Sequence, residues 1–482
     1  MSLHQKTSDF ISSECVKSKS YHFWTISKTI QVLNELCYFE RASAHILSGW
    51  NPKIPHLELK TISAIHLFQD MSHANQLHLR LEILAKYQKI ELRVPIGWMR
   101  LVERIDRSKD VWHLLSALYL IIKQRIVEIY HSYLENSDPL ADQDLMLSIR
   151  RILTEKQGQI QWAKEILHGK LRARESQKIA VDIESLWKRR STGRLIEPRA
   201  SPLPVGERVR RVARPPELKR GKIGGLKKIP IDGLRNRKDI GLFLHGFLNE
   251  EYLTMELICR NIYEHPDMPW QYHMDMARHA SDEARHAKII ERAASHYGVK
   301  YGDYPIYVAS YEGQYEFQPC PPGSKKELLW RILLRQTFHE GLALDSLAFE
   351  VKKRKFLRQP ELAQIFSYLL MDEVFHAQSG LKWSRYLCDG DPKKAMQERE
   401  IAHNYFVDMI KVARAVFVAE NEEAALEEIK VLKMATKNYD LPFHRTLNVQ
   451  GRKDAGFLDE ELSQIVEWGY VQPSSKNFTM IK

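Results

Sequence analysis

Two Glu-x-x-His elements, Glu283-Ala284-Arg285-His286 and Glu373-Val374-Phe375-His376, stand in the second half of this 482-residue chain, each inside a strongly helical stretch. Residues three apart share a helix face, so each element aims a carboxylate and an imidazole at one point. A helix with an apolar-embedded glutamate precedes each element. Glu256 lies among Phe247, Leu248, Met255, Leu257 and Ile258, and Glu340 among Phe338, Leu342, Leu344 and Leu347. A carboxylate in such surroundings is costly unless compensated, and a ligated cation is the natural compensation. Four helices supplying Glu, Glu-x-x-His, Glu, Glu-x-x-His in that order form the ligand set of a dinuclear carboxylate site. Glu250 and Glu251 compete with Glu256, which is preferred because the internal repeat described below preserves its position.

The chemistry needs this inventory. Four carboxylates neutralise two divalent ions, and one imidazole per ion completes the protein shell while leaving coordination positions open. Glu256, Glu283 and His286 would mainly serve one metal, and Glu340, Glu373 and His376 the other. His279, Asp282, Asp345 and Asp372 are candidates for fixing the histidine tautomers, and Asp345 or Tyr252 for delivering protons. One Glu-x-x-His copy alone is usually a solvated helix face; two copies, each with its glutamate-bearing helix, make the pattern specific.

Residues from about 239 to 392 resemble an uncharacterised family of ferritin-like proteins, catalogued as a domain of unknown function. The resemblance is carried by Glu256, by Asp282-Glu283-Ala284-Arg285-His286-Ala287, by Tyr301-Gly302-Asp303-Tyr304-Pro305, by Glu340 to Asp345, and by Asp372-Glu373-Val374-Phe375-His376 with Gly380, Trp383, Cys388 and Asp391-Pro392. It implies a four-helix fold and the six ligands. The family's first helix often has His-x-Glu, and Thr254-Met255-Glu256 stands there instead.

The first half reads as a worn copy of the second. Glu40 corresponds to Glu256, Asp70 and His73 to Glu283 and His286, Pro95-Ile96 to Pro305-Ile306, Gln124 to Glu340, Glu155 to Glu373, and Gly158 to His376. Repetition of this length implies duplication of a whole bundle. The copy lacks one carboxylate and one imidazole, which makes it a structural or substrate-shaping domain, with a single bound metal as the alternative.

Between the halves, residues 188–238 carry seventeen Lys and Arg against four acids, with six prolines and no apolar periodicity. This is the pattern of a linker or extended arm. It accounts for the formal net charge of +11 and offers a surface for nucleic acid, a carrier protein or another acidic partner. The expected architecture is all-α: two tandem ferritin-like four-helix bundles joined by this basic linker, with a degenerate domain over 20–187, the arm over 188–238, the metal-binding domain over 239–437 and a tail over 438–482. Helical periodicity predicts helices over 23–48, 57–86, 111–134, 141–167, 240–263, 270–296, 325–356, 361–388, 392–419 and 422–434. The aromatic, Gly-rich segment 297–323 forms the crossover between helix pairs.

Five scattered cysteines without a Cys-x-x-Cys pair indicate reduced thiols and a cytoplasmic setting. The polar start lacks a signal core, and the best apolar run, residues 114–122, is too short to span a bilayer, so no membrane association is expected. The site's chemistry suggests a non-haem di-iron oxygenase or oxidase acting with dioxygen on a small organic substrate, with reducing equivalents from an external electron donor protein. Two iron ions are the expected cofactors, and manganese or a mixed Mn/Fe pair suits the same ligands. The competing readings are a peroxide- or metal-handling protein of the manganese catalase or rubrerythrin type and, from the basic arm, a tRNA-modifying hydroxylase or nucleic-acid-binding module.

Overall fold

The computed structural model describes residues 23–196, 203, 205–206, 209, 211–219, 237–304, 306, 319–405 and 446–469. These residues are predominantly helical, 77% of them, as expected for an all-α chain. The strand pairing among them is a short antiparallel ladder in which Val94 faces Ile196 and Pro95 faces Leu195. The expected helix 422–434, Pro305 and residues 307–318 of the crossover, Arg208, Arg210, the basic clusters at 220–228 and residues 470–482 lie outside the described residues.

The chain separates into two compact units, Met1–Ala42 with Ser72–Pro202, and Ser43–Met71 with Leu203–Lys482. Its first helices are α1 (Ile26–Trp50) and α2 (Leu57–Tyr87), followed in the first unit by α3 (Ile96–Asp106), α4 (Val111–Leu115), a π-helical segment Ser116–Ile122, α5 (Lys123–Asn136), α6 (Gln143–Leu167) and α7 (Ala173–Lys188). The helices α3 and α7 were not predicted. Both are short and amphipathic, burying Trp98, Leu101, Val102 and Ile105 in one and Ile179, Ile183 and Trp187 in the other. That i, i+3, i+4, i+7 spacing is the signature of a helix lying on a core.

In the second unit α8 (Arg237–Glu264) packs along α9 (Trp270–His296), and α11 (Glu340–Phe356) packs along α12 (Pro360–Leu387), which also touches α9. Before α11 come α10 (Lys325–Ile332) and a second π-helical segment, Leu333–His339. Ser324 caps α10 by accepting the Glu327 amide at 3.1 Å, satisfying an otherwise orphaned donor. Gly380 permits the close approach of α12 to the π-helical segment, because a Cβ there would meet the Gln336 backbone carbon at 2.8 Å. The expected helix at 392–419 is present over 392–405, beyond which it leaves the described residues. Two short helices, α13 (Val449–Asp454) and α14 (Asp459–Glu467), complete the unit and add Phe457, Leu462 and Ile465 to an apolar cluster with Leu344, Ala377 and Leu381.

The second unit also takes in residues 43–71 and part of the basic arm, a division that differs from cuts at 187 and 238. The reason is specific contact. The Lys60 ammonium and the Arg214 guanidinium both pair with the Glu256 carboxylate. The Ala213 amide donates to the Pro52 carbonyl at 2.8 Å, the His45 ring stacks on Tyr263 at 4.7 Å, and Val212 is buried with Leu253 and Leu257.

Candidate metal centre

Each Glu-x-x-His element sits in the buried part of its helix, on α9 and α12, and the side chains converge as the spacing requires. Ligand atoms of Glu283, Glu340, Glu373 and His376 lie within 4.8 Å of one another, as do those of Glu251, Glu283 and His286, and all are buried. Five of the six residues picked from the sequence are therefore brought together. The sixth is not: Glu256 points to Lys60 and Arg214, and Glu251 stands at the cluster in its place. Five positions along an α-helix rotate a side chain by well over a quarter turn, so the two glutamates occupy different faces of α8. The first half carries the matching pair, since Glu40 lies 3.6 Å from His73 Nδ1 as Glu251 lies 3.3 Å from His286 Nδ1. In this first helix the sequence correspondence of Glu40 with Glu256 falls five residues too far along.

The two histidines are oriented alike. The Nδ1 of His286 faces Glu251 at 3.3 Å, and its Nε2 is 3.0 Å from Asp372 Oδ2. The Nδ1 of His376 faces Glu373 at 3.1 Å and Glu283 at 3.2 Å, and its Nε2 lies 3.5 Å from Asp282. Each histidine thus turns its outer nitrogen to the aspartate that precedes the glutamate of the opposite element. Arg285 ties the two aspartates together, 2.5 Å from Asp282 and 3.1 Å from Asp372. An N–H donated outward leaves the Nδ1 lone pair directed at the carboxylates, the tautomer a metal requires. His279 is stacked 3.7 Å from His376 and lies 3.1 Å from Glu283.

Charge in this pocket is unevenly settled. Burial and the neighbouring Glu283 hold the Glu251 carboxyl well above its ordinary range, and burial with Glu373 does the same to Glu340. Burial opposes ionisation of Glu283 too, yet hydrogen bonds from His279 and His376 outweigh it and hold that group low. Burial would lower both motif histidines, but the carboxylates around them raise His286 and His376 well above the usual imidazole range. Burial and His376 push His279 down to about 4. Arg335, buried on the π-helical segment, places its Nε 3.3 Å from Glu340 and was not foreseen. Its signal was a basic residue five positions before a ligand glutamate in an apolar run.

The remaining expectations resolve by partner. Asp282 and Asp372 contact the histidines as anticipated. Asp345 does not: it accepts from Arg452 at 2.7 Å and from the Asn448 amide at 2.7 Å, which commits its charge elsewhere. Tyr252 packs its ring 5.0 Å from Tyr301 and 6.0 Å from the Arg214 guanidinium, so neither residue proposed for proton delivery reaches the cluster. Arg214 is itself buried against Glu256, at 2.9 Å between Nη2 and Oε2, and offers no charge to a polyanion.

The donor set fits two divalent cations. It holds four carboxylates and two imidazoles, and His286 Nδ1 and Glu340 Oε1 are buried atoms that make no hydrogen bond. Glu340 Oε1 is an acceptor that a cation would satisfy, and His286 Nδ1 becomes one once a cation displaces its proton. The molecule is thus an all-α protein with a buried carboxylate–histidine cluster. It belongs to the family described as "Protein of unknown function (DUF455)", which matches residues 172–463. That match takes in the arm segment carrying Arg214 as well as both Glu-x-x-His helices. No curated protein matches the chain, and no solved structure matches it.

Proposed function

We propose that the second unit is a ferritin-like dinuclear metal protein and that the chain is a non-haem di-iron oxidoreductase using dioxygen on a small organic substrate. One observation carries the reading: Glu251, Glu283, His286, Glu340, Glu373 and His376 converge from four helical segments with both Nδ1 atoms facing the carboxylates. Bound there, two iron ions would supply open coordination positions at which dioxygen is activated. Burial and their carboxylate neighbours bias Glu251 and Glu340 toward the protonated form in the metal-free pocket, and loading would act against that bias. Asp282 and Asp372 keep the imidazoles in the ligating tautomer, and Arg285 fixes the two aspartates against each other. Arg335 sets a permanent positive charge beside Glu340, inside the water-excluding wall of α10 and the π-helical segment.

Anaerobic reconstitution with ferrous iron tests this directly. About two ions per chain should load, and a His286→Ala, His376→Ala variant should load none. Exposure of the loaded protein to dioxygen should then consume it and oxidise an added amine or C–H substrate. Full metal retention in the double variant would sink the assignment, and rapid dismutation of hydrogen peroxide with manganese bound would move it to peroxide handling.

A further inference from the structure

The first unit repeats the geometry of the second but not its residues. A single shift carries the π-helical segment Ser116–Ile122 onto Leu333–His339, and the same shift carries Lys123 onto Glu340, Lys156 onto Glu373 and Gln159 onto His376. π-helical segments are rare, and two at one register position fix this alignment. It moves the sequence correspondences by one residue. Gly158, matched to His376 by sequence, is exposed with open space around its Cα, whereas Gln159 is buried. Gln124, matched to Glu340, lines an open groove with Gln157, whereas Lys123 is buried.

Both lysines are 0% exposed, an uncommon state for that residue. The Lys156 ammonium lies 2.5 Å from Glu40, which faces His73 Nδ1 as Glu251 faces His286 Nδ1. The Lys123 ammonium donates to Gln159 Oε1 at 2.7 Å and sits 4.2 Å from the Tyr119 ring. Tyr130 donates to Glu40 at 3.0 Å, and His73, in the place of His286, is 3.6 Å from Glu40 and 2.8 Å from Glu155. Exchanging a carboxylate for an ammonium changes the local charge by two, the charge of one divalent ion. Two such exchanges replace two ions.

We infer that the first unit is a vestigial dinuclear site in which the Lys123 and Lys156 ammonium groups stand in for the two metal ions, so that this half is held together without metal and needs only three side chains to become a second divalent-cation site. The inference rests on the dinuclear reading of the second unit. Glu40 and His73 are in place within this unit, 3.6 Å apart. Positions 123, 156 and 159 alone lack a ligand.

Ferrous iron bound per chain, counted after anaerobic loading and gel filtration of full-length protein, tests it in three forms: wild type, Lys123→Glu/Lys156→Glu/Gln159→His, and that triple exchange in the His286→Ala/His376→Ala background. Expected values are about two, about four and about two. Wild type at two with a folded triple variant also at two overturns the lysine assignment and leaves the second unit's reading standing. Wild type at none with the triple variant at two does the reverse. Wild type at four overturns the lysine assignment. Should the triple variant lose its helical circular dichroism, Lys156→Met poses the same question. Its melting temperature should fall by about 10 °C irrespective of ferrous iron, and adding Glu40→Gln should recover most of that loss. A melt unchanged by Lys156→Met, or unrecovered in the double variant, overturns the inference.

Discussion

In the first unit Glu40 meets the Lys156 ammonium at 2.5 Å and Lys123 meets Gln159 at 2.7 Å, whereas in the second unit Glu251, Glu283, Glu340 and Glu373 crowd together beside Arg335. Both interiors bury carboxylates within helices of matching register. The first meets its charge largely with side chains of the same chain, Lys156 at Glu40 and Lys123 at Gln159. The second is left with raised Glu251 and Glu340 carboxyls and unbonded His286 Nδ1 and Glu340 Oε1 atoms. A buried polar cluster unsatisfied by protein is costly unless something else satisfies it. On the reading proposed above, the same helical register serves as a structural domain or a binding site according to whether the cation is covalently attached.

The largest expected effect separates the two interiors by stability. Lys156→Met strands a buried carboxylate and should cost about 3–5 kcal/mol, as breaking a buried pair does, with or without metal present. Glu340→Gln should act in the opposite direction on metal-free protein. Burial and Glu373 raise the Glu340 carboxyl, so at neutral pH the charged group opposes folding, and its removal should raise the melting temperature by about 2–4 °C, the shift of 1 kcal/mol in a domain of this size. Thermal melts of the two variants after chelation would decide it. A fall for Glu340→Gln would place a satisfied charge at that position and erase the distinction.

How much of this was legible depends on which residues carried it. The two Glu-x-x-His elements and the outer aspartates were readable because i, i+3 spacing fixes which side chains share a helix face. The eight long helices were readable because their apolar periodicity is sustained. The first-helix ligand was not, since α8 contains Glu250, Glu251 and Glu256, almost every residue from 251 onward is buried, and no polar face marks a register. The buried lysines were invisible for a related reason: a one-residue slip placed Gln124 and Gly158 where Lys123 and Gln159 belong, and only the paired π-helical segments set the phase. The arm read as a free linker because composition records charge but not partners. Arg214 is buried by a carboxylate forty-two positions away, which no local pattern reveals.

Next in size are the aspartates outside the ligand shell. Asp372→Asn removes the anion that His286 Nε2 and Arg285 share, and Asp282→Asn removes the one beside His376. Each should lower ferrous affinity about 10–100-fold, the usual loss on removing such a partner. Asp345→Asn should leave affinity unchanged and lower stability, because Asp345 serves Arg452 and Asn448. Competition titrations with a chromophoric chelator would resolve these, and a loss of affinity in Asp345→Asn would break the division between the two roles.

The smallest effect is a dependence on pH that differs between the units. Metal loading of the second unit must displace protons from groups held above their ordinary ranges, namely Glu251, Glu340, His286 and His376. Ferrous affinity should therefore rise with pH and loading should release protons. The first unit titrates instead through His73 and Glu155, 2.8 Å apart. Burial would lower His73, but Glu155 and Glu40 raise it, so its stabilising share is complete below the unfolded imidazole value and is lost as pH rises through the folded one. The hydrogen bond with His73 brings Glu155 down to about 2, so its share is present above the ordinary carboxyl value and is lost as pH falls toward 2. The pair thus contributes most between about pH 4.5 and 6.5, the two unfolded values. Chelated protein should show a shallow stability maximum in that window, absent in His73→Gln. A maximum that persists in His73→Gln would mean that this half has other titrating groups and that its charge is less completely closed than the lysine pairs imply.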